Sequence, residues 1–458
     1  MLDQTPCRHT YSVERVNGVH DLLGLVGQGP PQPHVPLFYW EHPMSGEAVL
    51  AVGAAHTIRT SGPDRIGKAG RAALDVLART IPREQSSRVD APRPRFVGGF
   101  AFDSNDPVSP LWREFPSCWL FLPEQMWLLK DGRCWSIRVS SCAHPSADRQ
   151  AAPRVAGMDE RSRSGAPGIE EADDRQHWLR RAERALSMVQ EGAITKVVLA
   201  RHRTWTAARE ISVLSIARQL RDARPGCFTF CVSPGRSHFF GSTPELLVRL
   251  QNGRFETQAL AGTAPRGASE REDRENASCL LRSAKDQREH AAVILGIEQA
   301  LGTVAGSLRV APQPGLIALP EAYHLHTAIA GHLRSSISSL DLAELLHPTP
   351  AVCGVPRQCA RALIETEEPD RGWYTGAVGW MDGSGDGAFA VALRAALVKE
   401  RDFTVWAGAG IVSGSDPVAE FEETEIKMRA MVDAVTGREP AGNDAPIAPM
   451  LRLAEIGG

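Results

Sequence analysis

An α+β fold built on antiparallel sheet is what the sequence predicts. Strand-like runs are joined by hairpin turns, helical segments stand between them, and no glycine-rich stretch fits a dinucleotide or P-loop pattern. The clearest hairpin is LLVRLQNGRFETQAL, where Asn252-Gly253 supplies the pair of residues that best tolerates a tight turn. WMDGSGDGAFAVALRAALV reads as a second hairpin. Residues 1–140 read as short strands and turns, with PLFYWEH and FVGGFAFD as core strands and GKAGRAALDVLARTI as one helix. Further on, HWLRRAERALSMVQ is a helix ending at Gly192, ITKVVLARHRTW a strand and SVLSIARQLRDA a helix. One long helix is expected from about Glu270 to Leu301, and PVAEFEETEIKMRAMVDAV closes the fold as another. The Ser/Ala/Pro/Arg-rich stretch 140–174 reads as an insertion or linker, and 441–458 as a loose tail after a single domain over 1–440.

Bulk chemistry excludes several partners. The 458 residues carry 51 basic and 54 acidic side chains, a net charge of −3, which favours neither nucleic acid nor an anionic membrane. No run approaches the ~20 apolar residues needed to cross a bilayer, and the N-terminus lacks the apolar core of a secretory signal. Nine dispersed cysteines suit a reducing cytosol better than a disulfide framework. Cys227 and Cys231, in CFTFCVS, read as small core residues.

Several charged residues stand where chemistry is possible. Lys196 is the lone charge of ITKVVLA: burial makes it a candidate base, whereas exposure on an edge strand would make it a guard against aggregation. Glu245 follows a proline at the start of an apolar strand, either as an acid with a raised pKa or as a solvated turn residue. Glu420, Glu423 and Lys427 share one helix face. That face suits a hard cation, and it equally suits a helix with an acidic first turn and an i,i+4 Glu–Lys pair. Glu289-His290 would ordinarily be helix surface. His324 and His326 alternate on a strand without a third soft ligand nearby, so a metal pair there is disfavoured. Arg394, alone in AFAVALRAALV, needs a carboxylate partner, which a substrate would supply.

Taken in order, KVVLAR, STPELLVR, ALAGTAPRG, AKDQREH, HPTPAVCGVP, RGWYTGAVGW, ALRAALV and AGAGIVSGSDPVAEFEETEIKM closely resemble the chorismate-utilising enzymes over about 178–435. Within them the chain is most similar to the isochorismate synthases. The resemblance implies two large antiparallel sheets with helices outside and the site in a cleft at one end. It implies Lys196 as the base that activates water for attack at C2 of chorismate, and Glu245 as the acid that protonates the departing C4 hydroxyl. Glu289 and Glu423 would carry Mg²⁺, with Glu420 close to its bound water. Arg394 and Tyr374 would hold the pyruvyl carboxylate, while Gly262, Thr263, Gly408, Gly410 and Lys427 line the pocket and His324 lies beside the ring. The implied protein is a cytoplasmic monomer. Ala261 replaces the lysine common in aminodeoxychorismate synthases, and HPTPAVCGVP differs from the usual anthranilate synthase segment, so no glutaminase subunit is expected. Salicylate synthase chemistry and a non-catalytic chorismate-binding relative are the alternatives. His326 departs from the smaller residue this resemblance leads one to expect beside the site.

Overall fold

The computed structural model describes residues 9–25, 34–83, 91–141, 168–172, 175–368 and 370–437. Most of the expected 140–174 insertion and the whole 441–458 tail lie outside them. The two ends of the insertion are strands, Arg133–Ser141 and Gly168–Ala172.

Helices among the described residues are α1 (Arg65–Ala78), α2 (Arg175–Gln190), α3 (Val213–Ala223), α4 (Glu270–Arg282), α5 (Ala284–Gly302), α6 (Ser339–Leu346), α7 (Arg357–Glu367) and α8 (Pro417–Thr436). The single long helix expected over 270–301 is therefore two. Ser283 breaks it by taking an extended conformation (ψ 111°), and its side chain accepts from the amide of Asp286 to cap α5. α8 begins as its sequence implies: Asp416 accepts from Val418 N at 3.0 Å, Pro417 follows, and Gly437 closes the helix at φ 68°.

The strands form one hydrogen-bonded network with two arms, in place of two separate sheets. Both arms grow from the paired strands Glu47–Thr60 and Cys118–Lys130. These run to 14 and 13 residues, far longer than the short strands expected in this region. One arm continues through Leu37–His42, Phe228–Ser233, Ser237–Thr243, Ala395–Lys399, Asp402–Val412 and Lys196–Thr206. The other runs through Arg95–Phe100, Ala377–Asp382, Gly387–Val391, Leu246–Gln251, Arg254–Pro265 and Ala322–Leu333. Nearly all pairings are antiparallel; Thr80–Pro82 lies parallel to His9–Val16. The Asn252-Gly253 hairpin forms as expected, with both residues at positive φ (52° and 77°), as a type I′ turn requires.

The two arms face each other across an aromatic core that includes Trp40, Trp119, Phe230, Phe239, Trp373, Trp380 and Trp406. Helices cover the outer faces: α3 and α8 on the first arm through Val213, Ile216, Leu220, Met428 and Met431, and α1, α5 and α6 on the second through Ile66, Val293, Ile297 and Leu340. Cys227 and Cys231 are buried in the core, where desolvation pushes both thiols up to about 12.

Alternation of apolar and small residues continues unbroken while the chain changes arms, and this conceals a turn at Arg394. The supposed second hairpin is Ala377–Asp382 with Gly387–Val391. The next strand, Ala395–Lys399, belongs to the opposite arm. Arg394 is not inside a strand but in the crossing, at φ 47°. Glu245 occupies the equivalent crossing in the other direction, between Ser237–Thr243 and Leu246–Gln251. The crossings touch: Ser242 N donates to Arg394 O at 3.1 Å, and Val391 N donates to Glu245 O at 2.9 Å. Side chains released there from sheet packing are free to face a cavity between the arms.

Candidate active site

A cleft opens at these crossings, lined by residues from both arms. Glu245, Gly262, Thr263, Glu289, His324, Tyr374, Arg394, Gly408, Gly410, Glu423 and Lys427 all line it. The remaining two expected residues stand one layer behind: Lys196 is 1% exposed and reaches the cleft through Glu289, and Glu420 is 3% exposed behind Glu423. Side chains spread from residue 196 to residue 427 thus meet in one place.

Lys196 opens its strand and is paired on both sides, with Val412 and with Val355, so it is no edge-strand guard. Its Nζ lies 3.0 Å from Glu289 Oε1. Glu245 is 2% exposed, and burial lifts its carboxyl to about 7, against the pull of Lys196, the Thr349 hydroxyl at 3.3 Å and Arg394. A carboxyl poised there holds a proton at neutral pH and can give it up.

Three lysines hold the three acidic residues. Beyond the Lys196–Glu289 pair, Lys285 Nζ meets Glu420 Oε1 at 2.6 Å, and Lys427 bonds Glu423 while donating to Gly408 O at 2.9 Å. The i,i+4 pairing of Glu423 with Lys427 is thus real, yet it faces the cleft. Glu420 also accepts from Ser415 Oγ at 2.8 Å. Burial and then the Glu423 charge push its carboxyl up, and burial with the charges of Glu289 and Glu423 does the same to Asp286. Negative charge is in local surplus. No group of three His, Cys, Asp or Glu forms a ready-made metal cage among the described residues. Mg²⁺ needs none, being held by one or two carboxylates with water and substrate oxygens. Hard oxygen donors lining the cleft and a surplus of negative charge fit that ion.

Arg394 already has carboxylate company: its Nε lies 3.4 Å from Glu321 Oε1, and Arg224 holds the other oxygen at 3.5 Å. Its Nη2 is 3.0 Å from His324 Nε2, while His324 Nδ1 lies 3.2 Å from Gly262 O. Gly262 O can only accept, so Nδ1 carries the proton and Nε2 accepts from Arg394. Burial and the Arg394 charge hold the His324 ring neutral, far below its usual range. His326 instead lies 3.1 Å from Gln258 Oε1, so the two histidines form no metal pair. His290 is buried with Nε2 2.8 Å from Thr327 Oγ1, in contrast to the surface position expected of it. Tyr374 stacks on Trp406, and burial raises its phenol to about 12, so it stays a neutral donor. At Gly410 a Cβ would come within 2.6 Å of Glu289 Oε1, and at Gly262 the backbone sits at φ 77° against Asp286.

Sequence reasoning did not single out Lys285, Ser415, Thr349 or Glu321. Each acts by closing a charge or hydrogen-bond partnership between distant segments, which no local pattern announces.

Comparison with known proteins gives the class to which this fold and cleft belong. The family profile described as chorismate binding enzyme matches residues 3–436, and the chain belongs to that family. Within it the chain groups with isochorismate synthases. It is 34% identical over 421 residues to the salicylate biosynthesis isochorismate synthase of Pseudomonas aeruginosa, covering 88% of this chain and 85% of that one. Isochorismate synthase MenF of Bacillus subtilis is 30% identical over 417 residues, 87% of this chain and 88% of its own. The solved structure of the menaquinone-specific isochorismate synthase of Escherichia coli superposes with a TM-score of 0.76 at 26% identity, over 94% of this chain and 96% of that one. No described helix is long and apolar enough to cross a membrane.

Proposed function

We propose that the chain is a Mg²⁺-dependent isochorismate synthase, an isomerase that adds water at C2 of chorismate and releases the C4 hydroxyl. The observation that carries this reading is Glu245: a buried carboxyl lining the same cleft that Lys196 reaches through Glu289. Lys196 takes a proton from the attacking water, and Glu245 gives one to the departing hydroxyl. Water enters and water leaves, so atoms and protons balance in either direction. Neither group alone suffices, because hydroxide is a poor leaving group and neutral water a poor nucleophile.

Arg394 and Tyr374 bind the pyruvyl carboxylate. Glu321 and Arg224 fix the Arg394 guanidinium from behind, and the neutral His324 keeps its plane. Gly408, Gly410 and Gly262 leave room for the ring, and Thr263 and Lys427 supply polar contacts at its rim. Glu289 and Glu423 would hold Mg²⁺, with Glu420, held by Lys285 and Ser415, close to the water the ion would carry. When bound, the metal neutralises the ring carboxylate of chorismate. With water as nucleophile, no glutaminase subunit is required. A cytoplasmic monomer whose single domain spans 1–440, its arms acting as two sheets around the cleft, completes the proposal.

The test is product analysis by chromatography and mass after incubation with chorismate, with and without Mg²⁺. Isochorismate formed reversibly and only with Mg²⁺ is the expected result. Salicylate with pyruvate would make the chain a salicylate synthase, and binding without turnover would make it a non-catalytic relative. For the metal, Glu423→Gln is expected to weaken Mg²⁺ binding at least ~10-fold in calorimetric and activity titrations. An unchanged midpoint would place the ligand elsewhere.

A further inference from the structure

His326 has no part in the roles assigned above, yet it is tied to the catalytic turn. His326 opposes Leu260 in the strand pair, which makes Gln258 its diagonal neighbour, within reach of long side chains. Its Nε2 lies 3.1 Å from Gln258 Oε1, and Gln258 Nε2 donates to Pro244 O at 2.6 Å. Pro244 lines the cleft and immediately precedes Glu245.

The three groups determine one another's orientation. Pro244 O can only accept, so Gln258 must turn its NH₂ toward it. Gln258 Oε1 therefore faces His326, and His326 Nε2 must carry a proton. Burial keeps this imidazole low, at about 4, so the ring is neutral across the working range and the direction of the relay does not switch. Gln258 is 7% exposed, and breaking the relay would leave its amide unsatisfied in the interior.

We propose that His326 and Gln258 are positioning residues that clamp the Pro244-Glu245 turn, so that the acid is held at a fixed place in the cleft. This rests on the assignment of Glu245 as the general acid. Misplacement of a reacting group by a fraction of an ångström costs rate more than binding, because ground-state contacts made elsewhere persist. Loosening the turn also admits water to Glu245, whose pKa is high because it is dry, while Lys196, Arg394 and Thr349 already favour its charged form.

The experiment compares His326→Leu, Gln258→Leu, the double variant and His326→Gln, which restores an N–H donor. The Glu245 carboxyl is followed by NMR titration of ¹³C-labelled glutamate, and kcat and KM are measured alongside. Either Leu variant is expected to lower kcat about 10-fold with KM for chorismate changed less than about 2-fold. The Glu245 titration should move from about 7 toward its ordinary 4.5. The double variant should be no worse than either single one, as for residues acting through one chain of bonds, and His326→Gln should recover most of the loss. If His326→Leu fails to fold, Gln258→Met breaks the same relay with a side chain of similar length. An unmoved Glu245 titration with unchanged kcat, or losses that add in the double variant, would overturn the proposal. Because the titration needs no turnover, an enzyme that makes no isochorismate still reports on the clamp.

Discussion

Glu245→Gln is expected to lower kcat by about 10²–10⁴-fold while making the metal-free protein more stable than wild type at pH 8. The two effects share one cause. In the fold the carboxyl titrates at about 7, against 4.5 for the ordinary group. Below pH 4.5 it is protonated in folded and unfolded chains alike, and the burial costs nothing through ionisation. As pH rises from 4.5 to 7 the unfolded chain ionises while the folded one resists, so stability falls through that window. Above pH 7 the full cost remains, on the order of 3 kcal/mol. Glutamine has the same shape and never ionises, so it escapes the cost and also has no acidic proton to give. Melting temperatures of both proteins from pH 4 to 8 test this. The gap should open in favour of the variant between about pH 4.5 and 7 and then level off; a gap that ignores pH would mean that Glu245 is not the strained acid.

That trade is visible in the sequence only in outline. The apolar strand after Pro244-Glu245 suggests burial, but the reason the carboxyl faces a cavity is the change of arms at that point, set by strand pairings far apart in sequence. Arg394 shows the same limit more sharply: small apolar residues on both sides imitate a continuous strand, and only the pairing of Ala395–Lys399 with Ser237–Thr243 reveals the crossing. The break at Ser283 was hidden because helical periodicity is good on both sides of it. By contrast, α8, the Asn252-Gly253 turn and the strand bearing Lys196 depend on local caps, turn geometry and burial patterns, and these were readable. The candidate site residues could be named in advance by resemblance, because their motifs recur in order. Their supports, such as Lys285 with Glu420 or Gln258 with His326, are partnerships across 135 and 68 residues that no motif carries. The two long strands shared by both arms belong to the same category of non-local information.

Lys196→Ala is expected to abolish water addition, a loss of about 10²–10⁴-fold in kcat, while chorismate binding stays measurable by calorimetry. In the proposed reading the substrate carboxylates would be held elsewhere, by Arg394 and by the Mg²⁺ that Glu289 and Glu423 would carry, so losing the amine removes chemistry before affinity. Alanine also strips Glu289 of its partner at 3.0 Å, and a poor result could be blamed on that vacancy. Lys196→Arg separates the two roles. Its guanidinium keeps the positive charge beside Glu289 but cannot lose a proton under any working condition. If Lys196 serves only as a counter-ion, arginine should retain much of the activity; if it is the base, arginine should be as inactive as alanine with Mg²⁺ binding closer to wild type. The distinction matters because Glu289 has two suitors. One is the Lys196 nitrogen at 3.0 Å, and the other would be Mg²⁺, so arginine keeps the charge beside Glu289 while removing the base. Full turnover in Lys196→Ala would end the assignment of this residue as the base, and with it the symmetry of one proton taken at C2 and one given at C4.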